Sequence, residues 1–215
     1  MNKPKVIHWF RQDLRLSDNP ALFEAAKNSS ILPIYILDDI NSKELAMGEA
    51  SRFWLHYSLN SLNKSLEKNL SIYSGDPITV ILDIIDRFDI KEIFWNRCYE
   101  PWRINRDTQI KKELESNGIK VTTLNGSLLW EPWTIKKGDG TPYKVFTPFF
   151  RKGCLLSDEP RKPLPAPNNL DFLNDSKKSL EINDLALLPS VRWDIEMKPF
   201  WNIGEDGAHK RLTEF

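Results

Sequence analysis

The chain opens on an apolar run, Lys5-Val6-Ile7-His8-Trp9-Phe10, and similar runs return at Ile31 to Leu37, Ser71 to Ser74, Glu92 to Asn96 and Ile119 to Leu124. Near-continuous apolar runs of this length suit strands covered on both faces, as in a parallel sheet. Between them the apolar positions switch to helical spacing. Asn19 followed by Pro20 fits a helix start, with Leu22, Ala25 and Ala26 on the buried face. Residues 49–70 keep Leu55, Leu59, Leu62 and Leu66 in one stripe. Asp76-Pro77 opens a helix with Ile78, Ile81, Leu82, Ile85 and Phe88 inward, and residues 102–117 form another, closed by Gly118. Strands alternating with helices predict an α/β fold. The expected form is a Rossmann-like five-stranded parallel sheet of order 3-2-1-4-5, with helices on both faces and right-handed crossovers.

The texture then changes. Ile135 to Val145, around Gly138-Asp139-Gly140, reads as a hairpin, and Thr147-Pro148-Phe149-Phe150 as the start of a short helix. Beyond Leu156 come Pro160, Pro163, Pro165 and Pro167, then polar residues to about Pro189. That composition reads as a long connector without a core of its own. Trp201 to Phe215 resumes a helical pattern with little to pack against. The expected division is a core at 1–130, a hairpin and short helix completing it at 131–156, a linker at 157–200, and the truncated start of a second domain at 201–215.

Composition narrows the setting. With 215 residues and 40% apolar content the chain can bury a proper core. Lys+Arg and Asp+Glu balance at 30 each, which argues against gripping nucleic acid by electrostatics alone. No apolar run reaches the length of a membrane helix. Met1-Asn2-Lys3-Pro4 leads straight into a strand, so no signal peptide is expected. Cys98 and Cys154 have neither zinc spacing nor a disulfide framework, so a monomer in a reducing cytoplasm is the expectation. His8, His56 and His209 are scattered and suggest no metal site.

In an open α/β sheet, ligands meet the protein where the strand order reverses, at the carboxyl ends of the strands. With the first and fourth strands adjacent, two unusual segments flank one crevice: Phe10 to Arg15, and Trp95 to Asp107. The first carries two arginines and an aspartate where nucleotide-binding folds often carry glycines, so it cannot wrap a pyrophosphate closely. The chain has no phosphate-binding Gly-x-x-x-x-Gly-Lys-Ser/Thr loop, no Gly-x-Gly-x-x-Gly after the first strand and no Gly-x-Ser-x-Gly elbow. No nucleophile, base and orienter assemble, so catalysis by this domain alone is not expected. Arg11, Asp13, Arg15, Glu100, Arg106 and Asp107 read either as ligand groups or as an ion-pair network that holds the loops. Trp9, Trp54 and Trp95 read as core more than as a ligand platform. Cys98 reads as a small buried filler, and Tyr143 and Phe146 as hairpin packing.

Three long stretches, in order, resemble signatures of the photolyase/cryptochrome family. They are Phe10-Arg11-Gln12-Asp13-Leu14-Arg15-Leu16-Ser17-Asp18-Asn19-Pro20-Ala21-Leu22, then Asn96-Arg97-Cys98-Tyr99-Glu100-Pro101-Trp102 with Arg106-Asp107, then Gly138-Asp139-Gly140-Thr141-Pro142-Tyr143-Lys144-Val145-Phe146-Thr147-Pro148-Phe149. Trp201, Gly204 and Glu205 are similar to the entry of that family's helical domain. The resemblance implies the N-terminal antenna domain of a deoxyribodipyrimidine photolyase, a carbon–carbon lyase that repairs pyrimidine dimers with light. Such a domain holds an antenna chromophore and passes its excitation to FAD. The FAD and the flipped-out lesion belong to the helical domain in cis, absent from this chain, so the chain alone is expected to repair nothing.

Carried over position by position, the implied antenna residues are Phe10, Arg11, Asp13, Leu37, Asp38, Arg52, Asn96, Cys98, Glu100, Trp102 and Arg103. Folate-binding members of the best-known bacterial type carry an Asn-Glu pair where this chain has Trp102-Arg103. Deazaflavin binders carry acidic residues where it has Cys98 and Glu100, of which only Glu100 matches; Arg52 also matches a pocket position of that type. Methenyltetrahydrofolate is the expected chromophore, with deazaflavin as the alternative. Two other functions compete: a cryptochrome-like blue-light photoreceptor, and a stand-alone nucleotide-binding module without light chemistry. Arg11-Gln12-Asp13 with Tyr99-Glu100-Pro101 resembles bacterial photolyases more closely than animal cryptochromes.

Overall fold

A computed structural model describes residues 3–215. The central strands are β1 (Lys5–Phe10), β2 (Ser30–Leu37), β3 (Ser71–Ser74), β4 (Glu92–Asn96) and β5 (Lys120–Leu124). They form a parallel sheet of order β3-β2-β1-β4-β5, as the apolar runs predict. The helices between them are α1 (Pro20–Ala25), α2 (Glu49–Ser65), α3 (Pro77–Phe88) and α4 (Pro101–Ser116). Side chains of a strand alternate between faces, and β1 shows it. Val6 and Phe10 join the core under α1 and α2, with Leu22, Leu55, Leu59 and Leu62. Ile7 and Trp9 join the core on α3 and α4, with Ile81, Ile84, Ile85, Ile110 and Leu114.

Several boundaries depart from expectation for local reasons. Helix α2 stops at Ser65, not at residue 70, because Glu67 and Lys68 take left-handed backbone angles and Asn63 Oδ1 accepts from Leu70 N at 3.1 Å. Leu66 and Leu70 stay buried beyond the helix end. In α3 the most buried positions are Ile81, Ile84 and Ile85, while Ile78, Leu82 and Phe88 only flank them.

The hairpin expected over Ile135 to Val145 is absent. Asp139 accepts from both Thr141 N (2.9 Å) and Thr141 Oγ1 (2.6 Å), and this closes a tight turn; no strand ladder flanks it, and Pro142 offers no N–H to one. Helix α5 (Phe146–Pro148) follows and runs into a π-helical turn over Phe149–Cys154. Gly153 sits tight on Ile135: a Cβ there would come within 2.6 Å of the Ile135 side chain.

The linker at 157–200 is also more than a connector. Its strand β6 (Asp171–Phe172) pairs in parallel with Ser30 and Ile31 of β2, on the edge of β2 whose other half, Ile34 to Leu37, pairs with β3. Ile182, Leu185 and Leu187 are buried in the core under α2. Asp175 accepts from Tyr73 Oη at 2.6 Å and from Arg87 Nη2 at 2.7 Å, which fastens the segment to β3 and α3. Helix α6 (Asp194–Met197) precedes α7 (Glu205–Glu214). The segment leading into the last helix does find packing: Trp201 meets Trp54 of α2 edge-on at 5.4 Å. Among the described residues, no helix is long and apolar enough to cross a membrane.

Candidate antenna cavity

The loop after β1 turns around Asp13. Its carboxylate accepts from Arg11 N at 3.0 Å and from Asn96 Nδ2 at the end of β4. Asn96 Nδ2 also donates to Asn19 Oδ1 at 2.7 Å, and Asn96 Oδ1 accepts from Ala21 N at 3.1 Å. Asn19 in turn caps α1, its Oδ1 accepting from Leu22 N at 3.1 Å. Gly126 permits this closeness, since a Cβ there would lie 2.6 Å from Asn96 Cγ. Asp13, Asn19 and Asn96 therefore fill the crevice between β1 and β4. The two segments expected to flank one crevice, Phe10 to Arg15 and Trp95 to Asp107, do both contribute to one cavity.

The open space lies instead over the carboxyl ends of β1 and β2. A cavity of about 700 Å³ is bounded by the loop after β1, the segment after β2, α2, the first turns of α4, and α7. Five of the expected residues line it: Arg11, Leu37, Asp38, Trp102 and Arg103. The others do not. Phe10 is core, and Asp13 and Asn96 support the loop from behind. Glu100 accepts from Gln12 Nε2 at 2.7 Å, and it is Gln12 that reaches the cavity. Arg52 is held by Asp39 at 2.6 Å and by Met47 O at 3.1 Å. Cys98 faces a smaller cavity of about 160 Å³ with Trp95, Tyr99 and Trp133. Burial raises its thiol pKa, so it stays protonated near neutral pH.

Trp9, Tyr35, Trp54 and Arg106 line the large cavity although sequence reasoning left them out of the antenna set. Trp9 and Tyr35 sit inside apolar strand runs and read as core; being the last turns of their strands was the signal available. Trp201, Gly204 and Glu205 were visible as a motif, but nothing in it said that Gly204 and Glu205 fold back onto this site.

The electrostatics are organised by arginines. Arg106 pairs with Asp38 at 2.9 Å and with Asp107 at 2.7 Å, and its guanidinium lies 5.2 Å from the rings of Trp9 and Trp102. Arg11 pairs with Asp107 and lies 5.1 Å from the Trp9 ring. Arg11 Nε and Nη2, Trp9 Nε1 and Arg103 Nε are buried donors with no hydrogen-bond acceptor. Burial raises the Tyr35 phenol above its ordinary value, so it remains a neutral O–H donor. The site is thus lined by aromatic rings and arginines.

These features define a doubly wound α/β domain that receives a ligand at the carboxyl ends of its strands. Residues 6–168 match the DNA photolyase family, and the chain belongs to that family. Over 98% of its length it is 37% identical to the deoxyribodipyrimidine photo-lyase of Agrobacterium fabrum, and over 98% it is 33% identical to Cryptochrome-2 of Arabidopsis thaliana. A bacterial class III photolyase from Agrobacterium tumefaciens superposes on all of the chain with a TM-score of 0.91 at 35% identity. The Synechocystis cryptochrome covers 89% of it with a TM-score of 0.76 at 26% identity. The chain spans 44% and 36% of the first two relatives and 45% and 41% of the two solved chains, less than half of each. The photolyase/cryptochrome family binds flavin and an antenna chromophore.

Proposed function

We propose that this chain is the antenna-binding domain of a light-driven photolyase and that the large cavity holds the antenna. The observation that carries this reading is a cavity of about 700 Å³ lined by the rings of Trp9, Tyr35, Trp54 and Trp102 together with Arg11, Arg103 and Arg106. A planar heterocycle stacks on aromatic rings and takes charge-assisted hydrogen bonds from arginines, which is the chemistry this lining offers. The volume falls within the usual range for ligand sites, about 300–1,000 Å³. An antenna, once bound, supplies light absorption and transfer of excitation to a flavin. The protein's own task is to position it rigidly and exclude water.

Arg11, Trp102 and Arg103 are the residues proposed to hold the chromophore, with Tyr35 as a further donor and Trp9 as a lining ring. Arg106, Asp38 and Asp107 keep Arg11 in place. Methenyltetrahydrofolate is favoured over a deazaflavin. It carries a delocalised cation and carboxylates, and the lining holds carboxylates (Asp38, Asp39, Glu205) as well as arginines. FAD and damaged DNA are assigned to a helical domain in cis. The test is a titration of the chain with methenyltetrahydrofolate and with 8-hydroxy-5-deazaflavin, each followed by its absorbance. Saturable one-to-one binding, weakened about tenfold by Arg11→Met, is expected. Binding of neither compound would remove the antenna reading.

A cryptochrome-like photoreceptor is the second reading, supported by the similarity to a plant cryptochrome across nearly the whole chain. Light-dependent repair of a thymine dimer by the chain joined to its flavin domain separates the two. Repair selects the photolyase. Flavin photoreduction without repair selects the photoreceptor.

A further inference from the structure

The loop that carries Arg11 is held at its far end by a residue 188 positions away in sequence. Glu205, in the first turn of α7, accepts from Leu16 N at 2.7 Å and from Ser17 N at 2.8 Å, and the Ser17 hydroxyl donates to it as well. His209, one turn later, lies 3.2 Å from the same hydroxyl. Two adjacent backbone N–H groups converging on one carboxylate form a charge-assisted pair, stronger than neutral hydrogen bonds. Behind Glu205 the helix is pressed onto α2. Gly204 adopts a φ of +114°, and a Cβ there would collide with the Ser61 side chain. Gly207 likewise has no room for a Cβ against the Asn202 carbonyl.

The same helix forms a wall of the large cavity through Gly204, Glu205, Ala208 and His209. The loop it grips forms another wall through Arg11, Gln12, Leu14 and Arg15. Between the grip and Arg11 the loop is stiff. Arg15 donates to Ser17 O, Asp18 O and Gly126 O at 3.1, 2.7 and 2.6 Å, and Arg15 N donates to Asp13 O at 2.7 Å. A displacement at Leu16 and Ser17 is therefore passed along the loop toward Arg11.

We infer that Glu205 is a positioning residue for the antenna: it latches the loop after β1 to α7, so that the cavity takes its binding shape only when α7 is docked. This rests on the antenna reading of the cavity. By linkage, a ligand that favours the closed loop strengthens α7 docking by the same factor by which docking strengthens binding. The helix and the cavity thus report on each other.

The test uses the 215-residue chain and two readouts, amide hydrogen exchange and the dissociation constant for methenyltetrahydrofolate. In Glu205→Ala, the Leu16 and Ser17 amides are expected to exchange at least about tenfold faster, with faster exchange spreading to Arg11 and Arg15, and the dissociation constant to rise about tenfold. Glu205→Gln keeps one acceptor and is expected to fall between Ala and the parent. Arg211→Ala, on the exposed side of α7, is expected to change neither readout. Ile110→Val, a core change remote from the loop, controls for lost stability: it is expected to lower Tm without altering loop exchange. Unchanged loop exchange in Glu205→Ala overturns the inference. So does faster exchange with unchanged affinity, or the same loop opening in Ile110→Val. If the parent binds neither chromophore, the antenna reading fails by itself. The latch is then judged on the Arg11 and Arg15 amides: faster exchange in Glu205→Ala supports it, and unchanged exchange overturns it.

Discussion

Two regions of this chain solve opposite problems. At the ends of β1 and β4, polar side chains are buried: Arg11, Asp13, Asn19, Asn96 and Arg106 are all 8% exposed or less. Asp13, Asn19 and Asn96 bond to one another, and the two arginines pair with Asp38 and Asp107. Along residues 128–156, apolar side chains are exposed instead. Phe146 and Phe150 stack at 5.8 Å with an interplanar angle of 6°, yet stand 73% and 42% exposed. In the first region, Asp13, Asn19 and Asn96 are each held by more than one neighbour, because leaving a buried polar group unpaired is costly. That over-determination is what a site needs to present donors at fixed positions. The second region is held at fewer points: Glu131 by Arg97 and Tyr99, one tight turn at Asp139, and Ile135 under Gly153.

The contrast is sharpest under mutation. Arg106→Leu removes the partner of Asp38 inside the rim and should cost about 3 kcal/mol of stability, the range for breaking a buried ion pair. Urea denaturation measures it. A double change with Asp38→Asn should cost clearly less than the sum of the single changes. A cost below about 1 kcal/mol would mean that the network carries little stability. Asn96→Ala should follow at about 2 kcal/mol, since it takes one partner each from Asp13 and Asn19 and leaves Ala21 N with none. Its effect should be visible both in the urea midpoint and in faster exchange of the Ala21 amide.

His8 adds a pH-dependent test of the same region. It is fully buried on β1, edge-on to Phe10 at 4.4 Å, and neither ring nitrogen has a partner. Burial pushes its pKa down from 6.5 to about 4, against the opposing pull of Asp13. The unfolded chain therefore takes up a proton near pH 6.5 that the folded chain refuses until about pH 4. Stability is lost as pH falls through that window, by about 2 kcal/mol at pH 5 relative to pH 7. His8→Leu should flatten this limb of the stability profile. An unchanged limb would assign the acid sensitivity to other groups. The smallest effect belongs to the other region: Phe150→Ser should change stability by less than about 0.5 kcal/mol. A larger loss would show that the exposed stack is structurally needed.

The fold was readable wherever burial dictates residue type. The strands β1 to β5 are covered on both faces, so their apolar runs and their order could be inferred. Strand β6 could not, because two residues, Asp171 and Phe172, carry no period. Ile182, Leu185 and Leu187 were hidden for a similar reason: three apolar residues spaced among polar ones look like linker until β2 and α2 are there to receive them. The tight turn at Asp139 was read as a hairpin because turn residues announce a reversal without saying whether strands flank it.

The site was legible in its segments and less so in its residues. Both loops were found, and Arg11, Leu37, Asp38, Trp102 and Arg103 do line the cavity. Asp13 and Asn96 belong to the same motifs, yet they stitch the loops together. Residue type alone does not separate a carboxylate that meets a ligand from one that meets Asn96. Glu205 was out of reach for a different reason, because its partners are backbone N–H groups, which every sequence offers everywhere.

The most direct measurement is the set of indole N–H resonances of the chain, assigned by single Trp→Phe changes, before and after adding methenyltetrahydrofolate. Trp9 and Trp102 line the large cavity, whereas Trp133 lines the smaller one. Saturable shifts at Trp9 and Trp102, with Trp133 unmoved and with the titration midpoint moved to about tenfold higher ligand in Arg11→Met, are expected if the large cavity holds the antenna. Shifts confined to Trp133, or none at saturating ligand, would contradict it.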